Sequence, residues 1–153
     1  MTILDQLAGY ARERVARAKE ARPLEQVMAE ARSMRCDTGF PFEQVLRGND
    51  IAFICECKRA SPSRGLIAPE FPYLQIAREY EAAGAAAVSI LTEPKWFLGS
   101  DAYLREIAAA VSIPCLRKDF VVDEYMIYEA KLLGASAVLL ICAILSEREI
   151  HDY

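Results

Sequence analysis

The chain has 153 residues, 54% apolar and 26% charged, which is ordinary for one globular domain and leaves little room for disorder. A net charge of −4 with one histidine gives no overall basic field, so nucleic acid is excluded as the expected partner and any anionic ligand must be held by local charges. The five cysteines form no CxxC pair, and no apolar run approaches the ~18 residues of a membrane span; the reading is a reduced, cytoplasmic protein without disulfide, metal or membrane partner.

Thr2 can cap a helix with Asp5 three residues on, and Leu4, Ala8, Ala11, Val15 and Ala18 then recur at helical spacing, so a helix is predicted from Ile3 to Ala21. Its charged residues Arg12, Arg14, Arg17 and Lys19 read as a solvated face. Pro23 opens a second helix whose apolar stripe, Leu24, Val27, Met28, Ala31 and Met34, ends near Arg35. After punctuation at 37–41, Phe42 to Gly48 reads as a short helical turn closed by glycine. Residues 1–50 are thus expected to form a helical extension ahead of a second unit, 51–153.

From Asp50 onward, short apolar runs alternate with amphipathic helices. Strands are predicted at 52–58, 87–91, 114–117 and 137–141; helices are predicted at 72–83, 101–110 and 124–133, with another beginning after Ser146. Such βα units in series imply parallel strands joined by right-handed crossovers. An internal echo supports this: YEAAGAAAV from Tyr80 and YEAKLLGASAV from Tyr128 each end a helix at Gly-Ala and begin a strand at once, as a (β/α) barrel repeats. Neither GxGxxG nor GxxxxGK[ST] follows any strand, which counts against a nucleotide-binding doubly wound sheet. A complete eight-stranded barrel takes ~200–250 residues. The expected fold is therefore α/β, the first four βα units of a (β/α)8 TIM barrel behind the helical extension, with the chain stopping in the helix after the fourth strand. Unpaired strand edges at either side of this half barrel would invite self-association.

Barrel chemistry gathers at the carboxyl ends of strands and in the loops that follow. On the first strand Ile54, Glu56 and Lys58 share one face, while Phe53, Cys55 and Cys57 share the other. The loop from Arg59 to Phe71, with Ser61-Pro62-Ser63 and Gly65, can bend around an anion as a lid. After the second strand, Trp96 and Phe97 suit either an aromatic ligand or packing beneath their own loop. After the third, Leu116, Lys118 and Phe120 share one face, with Arg117 and Asp119 opposite; an inward lysine loses hydration, which suits it to proton donation. Leu139, on the fourth strand, can line the interior as an apolar wall.

These residues carry a resemblance. The run ECKRASPSRG, Glu56 to Gly65, is similar to the E-x-K-x-x-S-P-S-[KR]-G signature of indole-3-glycerol-phosphate synthase, a family of tryptophan biosynthesis, and LTEPKWFLGS, IPCLRKDFVVDEYMIYEA and LGASAVLLICAILSE look like the same family in the same order. The resemblance implies a cyclising carboxy-lyase that takes a small phosphosugar–anthranilate substrate and needs no cofactor. It also implies roles: Lys118 as general acid, Lys58 steadying the anionic substrate, Glu56 orienting it, Ser61 touching it from the lid, and Phe97, Phe120 and Leu139 forming walls around its ring. The family's general base and phosphate cradle belong to later strands, beyond Tyr153. The isolated chain is therefore expected to be inactive, the alternative being a non-catalytic half barrel that pairs with a second copy.

Overall fold

In the computed structural model, which describes residues 2–153, the expected capping box opens the chain: Asp5 N donates to Thr2 Oγ1 at 3.1 Å and Thr2 N to Asp5 Oδ2 at 2.7 Å. Helix α1 (Ile3–Ala21) follows, burying Leu7, Ala8, Ala11 and Val15. Helix α2 (Leu24–Ser33) buries Val27 and Ala31, but its stripe ends sooner than the spacing suggests, and Met34 is exposed. Phe40, in the left-handed conformation at φ +52°, leads into α3 (Pro41–Leu46), where proline occupies the first turn.

Strands β1 (Ile54–Cys57), β4 (Ala87–Leu91), β5 (Cys115–Lys118) and β6 (Ala137–Val138) form one parallel sheet in that order. Between them run α4 (Tyr73–Ala82), α5 (Asp101–Ala110) and α6 (Tyr125–Leu132); α7 (Glu147–Asp152) follows a 3-10 turn at Cys142–Ile144. Each strand lies beside the next one of the series, the order of consecutive strands in a (β/α) barrel. The repeated Gly-Ala joint has a common geometry in its two occurrences. Gly84 and Gly134 sit at φ +89° and +91°, and the amides that follow return to Tyr80 O at 3.0 Å and Ala130 O at 2.9 Å. Only glycine holds that conformation without strain, so the helix stops there and the strand begins within three residues.

Two apolar layers hold these parts together. Cys57, Val88, Ile90 and Cys115 on the sheet pack with Ala77, Leu104 and Ile107 of α4 and α5. Ala8, Ala11, Val15 and Val27 of the first two helices pack with Val121, Val122, Tyr125 and Met126 at and before α6. None of the described helices is long and apolar enough to cross a membrane.

The strand limits differ from expectation in a regular way. β1 is shorter at both ends, β5 is one residue later, and β6 ends at Val138 rather than Ile141. In this sheet β6 pairs with β5 alone, and β5 ends at Lys118; the last contact, Leu139 N to Arg117 O, is already 3.4 Å, and the chain then turns away. The loop after β1 is also more ordered than a lid of turns. β2 (Ala60–Ser61) and β3 (Gly65–Leu66) pair antiparallel, with Gly65 at φ +61° making the bend.

Candidate active site

Because side chains alternate along a strand, residues between those of the outer layer point to the other side of the sheet. The register sets Glu56 beside Ser89, Ser89 beside Leu116, and Leu91 beside Lys118. Glu56 gathers the lysines: Oε1 accepts from Lys58 Nζ at 2.6 Å, and Oε2 accepts from Lys118 Nζ at 2.5 Å across the intervening β4. The side chains are 23% exposed for Glu56, 35% for Lys58 and 39% for Lys118, so solvent screens these pairs and they add little to stability. Two ammonium groups around one carboxylate leave an excess positive charge facing solvent, which suits an anion. Burial acts to raise the Glu56 carboxyl's pKa, but the hydrogen bonds and charges of Lys118 and Lys58 outweigh it and hold the group below the usual carboxylate range.

Phe97 and Phe120 are half-buried, with ring centroids 6.1 Å apart and planes inclined at 44°. Leu139 is half-buried just beyond the end of β6, between Val138 and Leu140, which pack on the outer cluster as Phe120 also does. Trp96 departs from this group. It packs edge-on against Tyr10 of α1 at 5.6 Å, and the Lys95 ammonium lies 4.5 Å from the Trp96 ring and 5.2 Å from that of Tyr10. Ser61 is buried at the base of the β2–β3 hairpin, where its Oγ accepts Arg64 N at 3.3 Å and lies 3.5 Å from Ser63 Oγ.

Charges on the opposite face of β5 form a network that spacing alone does not assemble. Arg117, 1% exposed, donates to Thr92 Oγ1 at 3.2 Å, Asp101 Oδ1 at 2.9 Å and Met126 O at 3.0 Å, and pairs with Glu129 Oε2 at 2.8 Å. Asp119, 2% exposed, accepts both Nη atoms of Arg14, at 2.6 and 3.1 Å, the Thr92 hydroxyl at 2.6 Å and Phe120 N at 2.8 Å. The solvated reading of the α1 charges is therefore corrected for Arg14, and for Lys19, which pairs with Asp123 at 2.7 Å. A signal was present: Arg117 and Asp119 alternate onto the face that helices cover, where a charge must find partners. Where those partners reside is a tertiary fact.

The sequence model of the indole-3-glycerol phosphate synthase family matches residues 4–153. Proteins named indole-3-glycerol phosphate synthase from Ruminiclostridium cellulolyticum and Endomicrobium trichonymphae are each 50% identical over 151 residues, covering 99% of this chain and 58% of theirs. One from Lachnoclostridium phytofermentans is 45% identical over 162 residues, covering 99% of this chain and 60% of its own. The chain thus spans about three-fifths of the length of these relatives, and its α/β fold is that of a TIM-barrel family. With a match that runs from residue 4 to the last, and with separated motifs in register, the chain belongs to the indole-3-glycerol phosphate synthase family.

Proposed function

We propose that the full-length protein carrying this chain converts 1-(2-carboxyphenylamino)-1-deoxyribulose 5-phosphate to indole-3-glycerol phosphate, with loss of carbon dioxide and water. The observation that carries the reading is the Glu56 carboxylate holding Lys58 and Lys118 at 2.6 and 2.5 Å, and the Phe97 and Phe120 rings, 6.1 Å apart, support it. The ring carbon that bears the carboxylate attacks the ketone carbon, and Lys118 protonates the ketone oxygen as charge grows on it. A cation fixed at the point where negative charge develops is often the largest catalytic contribution. Lys58 steadies the substrate's anionic groups and supplies a proton in the later dehydration, while Glu56 orients both lysines. Phe97, Phe120 and Leu139 flank the aromatic ring, and Ser61 touches substrate as the hairpin loop closes.

Residues 1–50 serve as a helical extension in this reading, and 51–153 as the first half of the barrel. β1 and β6 each keep an unpaired edge in this sheet, and Ile51 and Phe53, 84% and 64% exposed, lie beside the first of them. These features support completion of the sheet by further barrel strands, and they favour self-association of the 153-residue chain when it is made alone. That polypeptide by itself is expected to turn over slowly or not at all. The free thiols fit a reducing cytoplasm, and the net charge of −4 fits a small-molecule partner rather than nucleic acid.

The test is to supply the substrate to the full-length protein and follow the indole product by its fluorescence. Product formation without added metal or cofactor is the expected result; a folded protein that forms none overturns the reading. Sedimentation of the 153-residue chain addresses the alternative: a stable dimer with eight strands favours an assembly module, and an unfolded or aggregated chain favours simple truncation.

A further inference from the structure

We propose that Glu93 is a positioning residue that fixes the aromatic wall of the site by clamping the loop that carries Phe97; the inference rests on the functional reading above. Glu93 is fully buried, yet its carboxylate serves main-chain amides: Oε1 accepts Lys95 N at 2.9 Å, and Oε2 accepts Trp96 N at 2.7 Å and Phe97 N at 2.9 Å. Its own carbonyl accepts Gly99 N at 2.8 Å, so the loop closes on one residue from both sides. A buried carboxylate that collects three amides acts as a helix cap does, except that the next helix begins only at Asp101, under its own cap, Ser100.

The loop has little freedom left. Leu98 is held at φ +51°, a costly conformation for a residue with a side chain, and a Cβ at Gly99 would lie 2.4 Å from Leu91 O. What this constraint delivers to the site is the Phe97 ring, 6.1 Å from that of Phe120. Strained backbone beside a candidate site, held by a buried acceptor, suits a wall that must be in place before an aromatic ring arrives. Glu93 would act through Phe97 without touching substrate.

The experiment uses the full-length protein with Glu93→Gln, Glu93→Ala, Phe97→Ala and the Glu93→Ala/Phe97→Ala double variant. KM and kcat are measured for the aryl substrate, and inhibition constants are measured for a phosphorylated pentulose that lacks the ring. Trp96, the one tryptophan of residues 1–153, reports loop order without any ligand through acrylamide quenching, read as the difference from a Trp96→Phe protein. The inference expects Glu93→Ala to raise KM for the aryl substrate about tenfold, to change ringless phosphosugar binding less than twofold, and to raise Trp96 quenching. It expects Glu93→Gln to fall between, and the double variant to be no worse than Phe97→Ala alone. If the two losses multiply, or if ringed and ringless ligands weaken equally, Glu93 is merely structural and the inference fails while the functional reading stands. A wild-type protein that binds neither ligand sinks both. If Glu93→Ala does not fold, the Glu93→Gln cycle with Phe97→Ala decides by the same criterion.

Discussion

Arg14 and Asp119, 105 residues apart in sequence, meet as a two-point ion pair with N–O distances of 2.6 and 3.1 Å. The carboxylate is wholly buried and the Arg14 side chain 18% exposed, so removing the arginine strands the Asp119 charge away from water. Arg14→Ala is therefore expected to destabilise the full-length protein by about 3 kcal/mol, read by urea unfolding at neutral pH. Arg17→Ala, on the same helix face and set against Tyr10, should cost under about 1 kcal/mol.

The same carboxylate sets an acid limit. Burial works to raise the Asp119 pKa, but the hydrogen bonds and charge of Arg14, with Arg117 and Thr92, hold it below its ordinary 3.8. A depressed folded value means that its stabilisation is complete above about pH 4 and is lost as pH falls through the folded value. As pH falls below about 4, the wild type should lose melting temperature more steeply than Asp119→Asn, which starts lower at pH 7 and has no such group to protonate.

The loop between β4 and α5 offers a contrast between adjacent positions. Gly99→Ala pushes a methyl into the Leu91 carbonyl at 2.4 Å and should cost more than about 2 kcal/mol or prevent folding. Leu98→Gly relieves a φ of +51° at a partly exposed site and should be neutral or stabilising by up to about 1 kcal/mol. Differential scanning calorimetry of both variants settles the order.

Thiol chemistry should follow burial. Burial pushes the Cys57 thiol up to about 12 and the Cys115 thiol up to about 11, and both lie in the layer between sheet and helices, so neither presents a thiolate near neutrality. Brief iodoacetamide treatment of the native protein at pH 8, followed by peptide mass analysis, should label exposed Cys36 and leave Cys57 and Cys115 unmodified until denaturant is added.

Local chemistry explains what could be read in the chain beforehand. The two-residue period of β1 and β5 put Glu56, Lys58 and Lys118 on one side because alternation is a property of the strand itself, and the Gly-Ala joints marked two helix ends because only glycine turns there without strain. The limits of β6 were not legible, since they depend on where a neighbouring strand stops. Nor was the buried role of Arg14: an arginine beside Val15 on a charged helix looks solvated until the helix is docked. The β2–β3 hairpin escaped notice because two-residue strands have no period to detect. Glu93 gave a faint local sign, an acceptor at a strand end just before Pro94, but its partners are main-chain amides that any sequence supplies.

The most direct measurement is steady-state turnover of the aryl phosphosugar by the full-length protein with Lys118→Met, set beside Lys118→Arg and the melting temperature of each. The account expects kcat to fall about 10²–10⁴-fold for Lys118→Met, as loss of a general acid does, with little change in melting temperature because the pair with Glu56 is solvent-screened. Wild-type kcat, within a few-fold, in a folded Lys118→Met protein would contradict it.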